Sequence, residues 1–290
     1  MKKVTFLMLL IGFVSMTSCI GRNDKINQWE EYELKGKVQR LKISEYTAVE
    51  KFGEISKESL QMTTIVYFNK KGLIDSIDSY YGDDYLQRKT EIYTWDYSSR
   101  HTCVIRTKLL GKVDSTSYEL LQYNQQFDKL LSKTEYKADS IYDKLVWTYN
   151  DSKQLVDYTY YGAIGKIIAR HKDFEYNNKG ELICRNMYTS DGFFDNVESY
   201  RYDDNGNLIG RKTETDQTIY KTTFEYNSEN MLCREICENK NRYSSSTDIT
   251  EYTYQLDKNG NFIVKTLITY YDKSFDDVYC EYIEREITYF

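Results

Sequence analysis

His101 and His171 are the only two histidines in the chain. His101 falls where the spacing predicts a turn, so a Ser-His-acid triad or a multi-His metal centre lacks the imidazoles it needs. Adjacent carboxylates occur at Glu30/Glu31, Asp83/Asp84, Asp203/Asp204 and Asp276/Asp277. Glycoside hydrolysis needs two carboxyls facing each other across a cleft. Neighbours on a strand point to opposite faces, and three of these pairs sit in expected turns. "DDNGN" from Asp203 and "DKNGN" from Asp257 suggest calcium loops, but neither has the alternate acids and closing Glu of such a loop. Turn formation explains the same letters, and there is no Gly-rich phosphate cradle. The expectation is a protein that is not an enzyme, with no metal and no cofactor.

What remains is aromatic. Large side chains two apart recur as Trp95/Tyr97, Leu121/Tyr123, Trp147/Tyr149, Phe174/Tyr176, Tyr200/Tyr202, Phe224/Tyr226 and Tyr254/Leu256, with a polar residue between each pair. A period of two with one apolar face predicts half-buried antiparallel strands. Taking the second member as an anchor, Asn or Asp follows at +1, Gly or Asn at +4 and Leu at +6. Anchors fall at Phe68, Tyr97, Tyr123, Tyr149, Tyr176, Tyr202, Tyr226 and Leu256, with intervals of 24 to 30 residues. A period in that range marks a repeat array.

Each unit reads as a β-hairpin. Asn or Asp bonds its own backbone in the turn, and Gly72, Gly180, Gly206 and Gly260 supply a positive φ. Asn230 suits the same conformation. His101, Phe127 and Lys153 suit it poorly, so their units are expected to be strained or differently looped. "YNQQFDKLL" from Tyr123 carries one inserted residue. The fold class expected is all-β: about eight sequential hairpins in one long twisted sheet, curled into a half-pipe, an open barrel or a coiled sheet. The absence of proline suits an uninterrupted ladder.

"YRYDDNGNLIGRK" from Tyr200, with weaker relatives at Tyr149, Tyr176 and Tyr226, resembles the YD repeat of the rearrangement-hot-spot (RHS) family. The final stretch from Tyr252 to Phe290 resembles the end of small Bacteroidetes-type RHS-repeat lipoproteins, with "GNF" at Gly260 to Phe262 where that family carries "GNW". The likeness covers residues 34–290. It implies a repeat scaffold and says almost nothing about activity, since large members use these repeats as a shell around a toxin or as an extracellular adhesive scaffold.

The chain opens with Lys2, Lys3 and an apolar run from Val4 to Val14, too short to span a membrane and typical of a secretory signal. Met16-Thr17-Ser18-Cys19 resembles a bacterial lipobox, which implies cleavage before Cys19, acylation there and a lipid-anchored protein of the cell envelope, with the outer membrane favoured and its face undecided. The domain reading is a signal peptide over 1–18, a lipidated tether over 19–33 and the repeat sheet over 34–290. Without Lys2 and Lys3 the chain holds 37 basic and 45 acidic residues, a balance that leaves no footprint for nucleic acid. Five cysteines follow Cys19, namely Cys103, Cys184, Cys233, Cys237 and Cys280. They read either as small apolar residues in the sheet or as sources of a cross-strand disulfide such as Cys184 with Cys233 or Cys237.

Flat, about sixteen strands at roughly 4.8 Å spacing would span near 77 Å, so the aromatic face must be buried or put to use. Trp95, Trp147, Phe174, Tyr200 and Phe224 are therefore either core or a concave surface that stacks on sugar rings. The functional expectation is a non-catalytic envelope lipoprotein that binds or scaffolds, with a glycan or an envelope protein as partner. The alternatives are an accessory or orphan piece of a contact-dependent toxin system, and a carbohydrate-active enzyme.

Overall fold

The computed structural model describes residues 27–82, 87–98, 101–109, 112–271 and 278–290. Cys19 with its leader, and the pairs Asp83/Asp84 and Asp276/Asp277, lie outside the described residues.

The strands are β1 (Val38–Lys51), β2 (Glu54–Phe68), β3 (Ile74–Tyr81), β4 (Gln87–Asp96), β5 (Thr102–Leu109), β6 (Lys112–Tyr123), β7 (Leu130–Lys137), β8 (Ser140–Tyr149), β9 (Leu155–Tyr161), β10 (Ile167–Tyr176), β11 (Leu182–Thr189), β12 (Phe194–Tyr202), β13 (Leu208–Glu214), β14 (Thr218–Tyr226), β15 (Leu232–Asn241), β16 (Ser245–Leu256), β17 (Phe262–Tyr270) and β18 (Val278–Tyr289). Each pairs antiparallel with the next, and β18 returns to β1 with Val38 opposite Tyr289 and Ala48 opposite Cys280. The sheet is thus a closed 18-stranded barrel, where the sequence suggested an open or curled one. Twist turns a long sheet back on itself, and closure pairs the two edges that would otherwise be exposed.

The turns explain the repeat. In six of the eight, the amide at +1 donates to the carbonyl at +5: Asn69 to Leu73, Asn150 to Gln154, Asn177 to Glu181, Asp203 to Asn207, Asn227 to Met231 and Asp257 to Asn261, all at 2.8–2.9 Å. The +4 residue is left-handed in every unit, including His101 (φ 46), Phe127 (φ 59) and Lys153 (φ 60). Lys153 accepts the strained conformation within the standard loop, whereas the Phe127 loop is one residue longer and the His101 loop is tighter, with Asp96 pairing with Thr102. Phe127 recovers contact by stacking on Tyr123 at 4.9 Å. The inserted residue is real: Tyr123 pairs with Leu130 seven residues on, whereas Tyr202 pairs with Leu208 after six.

A ninth unit is split between the chain ends. Ile287 and Tyr289 occupy the aromatic-type positions, Phe290 donates its amide to the Lys37 carbonyl at 3.0 Å, Gly36 takes φ +87 at the +4 place and Val38 fills +6. The last turn holds this seam. Asn261, 1 % exposed, accepts from the Lys35 amide (2.6 Å), and its amide group donates to the Lys35 carbonyl (2.9 Å) and to the Tyr289 hydroxyl (2.6 Å). Tyr289 in turn donates to Asp257.

Aromatic donors tie neighbouring units together. Trp95 reaches the Ile74 carbonyl (2.7 Å), Tyr149 the Leu130 carbonyl (3.1 Å), Tyr176 that of Leu155 (2.6 Å), Tyr226 that of Leu208 (3.0 Å) and Tyr254 that of Leu232 (2.8 Å). Each acceptor is the residue that opens the return strand of the preceding unit, at +6 or, after the insertion, at +7 for Leu130, which is why a ring with a donor suits the repeat. Tyr176→Phe is expected to cost about 1 kcal/mol, read as a lower urea midpoint with an unchanged denaturant slope. An unchanged midpoint would mean that these hydroxyls do not join the units.

Residues 27–33, expected as tether, belong to the fold. Helix α1 (Gln28–Glu31) is capped by Asn27, whose side chain accepts from the Trp29 amide. Trp29 and Leu34 form the main core with Val38, Leu41, Val66, Phe68 and Ile74. Glu31 lies within electrostatic reach of Tyr123, Tyr32 of Tyr93, and Glu33 of Tyr226, Tyr254, Lys265 and Arg285. Only a segment inside the ring can neighbour strands so far apart around it, so the face bearing Leu41, Val66, Tyr93 and Arg285 is the inner wall.

Away from this plug, two strands of the wall are partly exposed along almost their whole length. Along β15 all but one position is partly exposed, and along β11 all but one is likewise neither buried nor fully exposed; a filled barrel would alternate buried with exposed. A circular ring of eighteen strands tilted about 40° has a backbone radius of roughly 18 Å, room for water. The five described cysteines are all free: Cys184 lies on β11 opposite Ser199, and Cys233 and Cys237 lie on β15, several strands away, so neither the Cys184–Cys233 nor the Cys184–Cys237 disulfide forms. Cys103 is fully buried, which pushes its thiol up to about 12.

Candidate binding wall inside the barrel

Trp95, Trp147, Phe174, Tyr200 and Phe224 come together as a belt on the inner wall, because all hold the same place two residues before a repeat turn and the strands are in register. They are not equally available. Trp147 and Tyr200 are 7 % and 5 % exposed. Trp95 spends its N–H on Ile74 and lies 5.9 Å from the Tyr123 ring. Phe174 and Phe224 are half-buried. The turn glycines Gly72, Gly180, Gly206 and Gly260 are structural, at φ +78 to +86. Gly72 is also sterically required, since an added Cβ would lie 2.9 Å from Trp29 and 2.7 Å from Asn27.

Between β8 and β13 the belt meets a polar cluster. Trp147 lies 5.4 Å from Tyr158, which lies 5.2 Å from His171. On the next strands Arg185 grips Glu198 through Nε (2.6 Å) and Nη2 (2.5 Å), and Tyr200 donates to the same Oε2 (2.7 Å). These three contacts outweigh burial and hold the Glu198 carboxyl below its ordinary range. Burial, then the nearby Arg185 charge, pushes His171 down to about 4, so its imidazole is neutral near pH 7; its Nδ1 is buried without a hydrogen bond among the described residues. Arg211, opposite Tyr200 on the same wall, makes no ion pair or side-chain hydrogen bond among the described residues.

The cluster offers donors, acceptors and ring faces, as a binding surface does. Among the described residues no carboxylate is hydrogen-bonded to His171. A second polar region carries Glu119, Glu135 and Asp143 in one row across β6, β7 and β8, with Lys133 bonded to Glu119 (2.7 Å) and Lys137 to Glu135 (3.1 Å). Burial, then Glu135, pushes the Asp143 carboxyl up. Glu135 and Asp143 stand side by side on one wall, whereas hydrolysis of a glycoside needs carboxyls flanking the bond. Sequence reading missed Arg185 and Glu198, although folding the chain about the "TSDG" turn at Thr189 would have set them opposite each other.

A family model described as "Uncharacterised protein" matches residues 123–245. No curated protein matches the sequence. Among solved structures, a porin-like protein from Bacteroides uniformis is similar over 88 % of this chain and 98 % of its own, at 12 % identity and a TM-score of 0.50. A porin-like protein from Bacteroides vulgatus matches 89 % of this chain and 99 % of its own, at 9 % identity and a TM-score of 0.38. The Photorhabdus luminescens Tc holotoxin pore matches 77 % of this chain with 13 % of its own, at 11 % identity and a TM-score of 0.39. The likeness to the Bacteroides uniformis protein is one of fold, and the fold is an antiparallel β-barrel.

Proposed function

We propose that the protein is a non-catalytic binding module of the bacterial cell envelope, lipid-anchored through Cys19 and built of YD-type repeats, which holds a saccharide against its inner wall. The observation that carries this reading is the meeting of an aromatic belt with Arg185, Glu198, Tyr200 and Arg211 on the inner wall, where Arg211, Phe174 and Phe224 stay partly exposed. Sugars present apolar ring faces beside hydroxyls, which matches such a wall.

The outer face supports anchoring rather than insertion in a bilayer. Cross-strand ion pairs stud it: Lys42–Glu286 (2.6 Å), Lys57–Glu284 (2.6 Å), Arg170–Asp157 (2.6 Å) and Lys221–Glu238 (2.5 Å). A lipid-facing barrel needs an apolar band, and each Lys or Arg at its midplane costs about 2–4 kcal/mol. This barrel wall is made to stand in water.

A glycan-array screen of the chain from Arg22 onward, which contains every described element, tests the reading. A saturable hit is expected to weaken about tenfold or more in Arg211→Ala, and to weaken in Phe224→Ala, while both variants keep the wild-type melting curve. Absence of any binder, or a hit indifferent to both substitutions, overturns it.

A further inference from the structure

On the outside of the barrel, beside the rim opposite the plug, a cleft of about 670 Å³ is lined by Ser140, Ile141, Lys144, Val146, Tyr161 and the Gly162–Gly165 loop. That volume is within the range of small-molecule sites, about 300–1,000 Å³. Its walls are mostly apolar, with Ser140, Lys144 and Tyr161 supplying the polar side-chain atoms. Lys144 is the single charged residue among them and has no ion pair among the described residues; the outer-face acid of the neighbouring strand, Asp157, is already held by Arg170.

The lip is unusual. Ile164 sits at φ 62, ψ 15 and is 97 % exposed. A β-branched residue in the left-handed region is a genuine outlier, and here the loop holds it there. Gly162 donates its amide to the Lys166 carbonyl (2.8 Å) and Gly165 donates to the Gly162 carbonyl (3.1 Å). The strain presents an isoleucine to water where glycine or asparagine would be the ordinary choice. Ile141, 45 % exposed, forms the opposite lip. An exposed apolar lip over an apolar cleft, with one unpaired ammonium in its wall, is a place where backbone strain points to a ligand.

We infer that this cleft binds a long-chain carboxylate, a fatty acid, with its head on Lys144 and its tail between Ile141, Val146 and Ile164. An extended peptide cannot add as a strand here, because β8 and β9 are each paired on both sides. The site is independent of the inner wall and its ligand.

The test is calorimetry on the chain from Arg22 onward with dodecanoate below its micelle concentration, and with dodecanol and butyrate for comparison. Dodecanoate is expected to bind saturably, and dodecanol and butyrate at least tenfold more weakly. Lys144→Gln is expected to weaken dodecanoate binding tenfold and leave dodecanol unchanged. Ile164→Gly, which relieves the backbone and so keeps the fold, is expected to weaken binding through loss of the apolar lip. Equal affinity for dodecanol and dodecanoate, a Lys144→Gln variant with wild-type affinity, or no saturable binding overturns the proposal.

Discussion

A chain ending at Asp277, and so lacking β18, is expected to lose its cooperative unfolding transition altogether. β18 is bonded on one side to β17 and on the other to β1, with partners running from Val38/Tyr289 to Ala48/Cys280 on the β1 side. Its removal opens the ring, leaves β1 and β17 as two long unpaired edges, and takes away Ile287 and Tyr289, which pack on the core around Trp29. It also leaves Asn261 without Tyr289, and the Tyr32 carbonyl without Arg285, which donates to it at 3.0 Å. Native domains are stable by only about 5–15 kcal/mol, and a whole strand with both ladders exceeds that margin. The check is circular dichroism against temperature, with light scattering to detect edge-to-edge association. A truncated chain that melted cooperatively near the wild-type temperature would mean that closure is not what holds the sheet together.

Trp29→Ala is expected to be the most damaging single substitution, at about 3–5 kcal/mol. Trp29 is 9 % exposed, lies 6.4 Å from the Phe68 ring and donates its indole N–H to the Val38 carbonyl at 2.7 Å. Removing it leaves Leu34, Leu41 and Val66 without a lid, and breaks a bond to the residue that starts β1. For a chain of this size the melting temperature should fall by roughly 10 °C. Trp29→Phe should restore most of the packing but not the bond, and so recover all but about 1 kcal/mol. Limited proteolysis should then cut between residues 27 and 37 in Trp29→Ala first. Wild-type stability in both variants would show that the plug merely rests in the barrel.

Much of the local structure was legible in residues alone. Asn177 accepts from the amides of Lys179 and Glu181, and Asp203 from those of Asn205 and Asn207, as expected of Asn or Asp opening a turn, because these bonds join residues two to four apart. The insertion after Tyr123 was visible because a period breaks there. The candidate wall was half legible. The aromatic belt follows from the repeat, but Arg185 and Glu198 meet only through hairpin register, and Arg211 faces them from a third strand. His171, set aside as too few histidines to do chemistry, turns out to sit beside Tyr158 as a neutral ring.

The sequence by itself determined that the chain is a row of antiparallel hairpins, where each turns, and which side chains share a face, since turn chemistry and a period of two are short-range properties. The tertiary structure alone decided that the row closes, that the two chain ends complete one another as a ninth hairpin, and that the segment around Trp29 plugs the ring it precedes. It also decided which face is the inside. Those outcomes depend on twist accumulated over eighteen strands and on contacts such as Val38 with Tyr289, between residues some 250 positions apart, which no local pattern encodes.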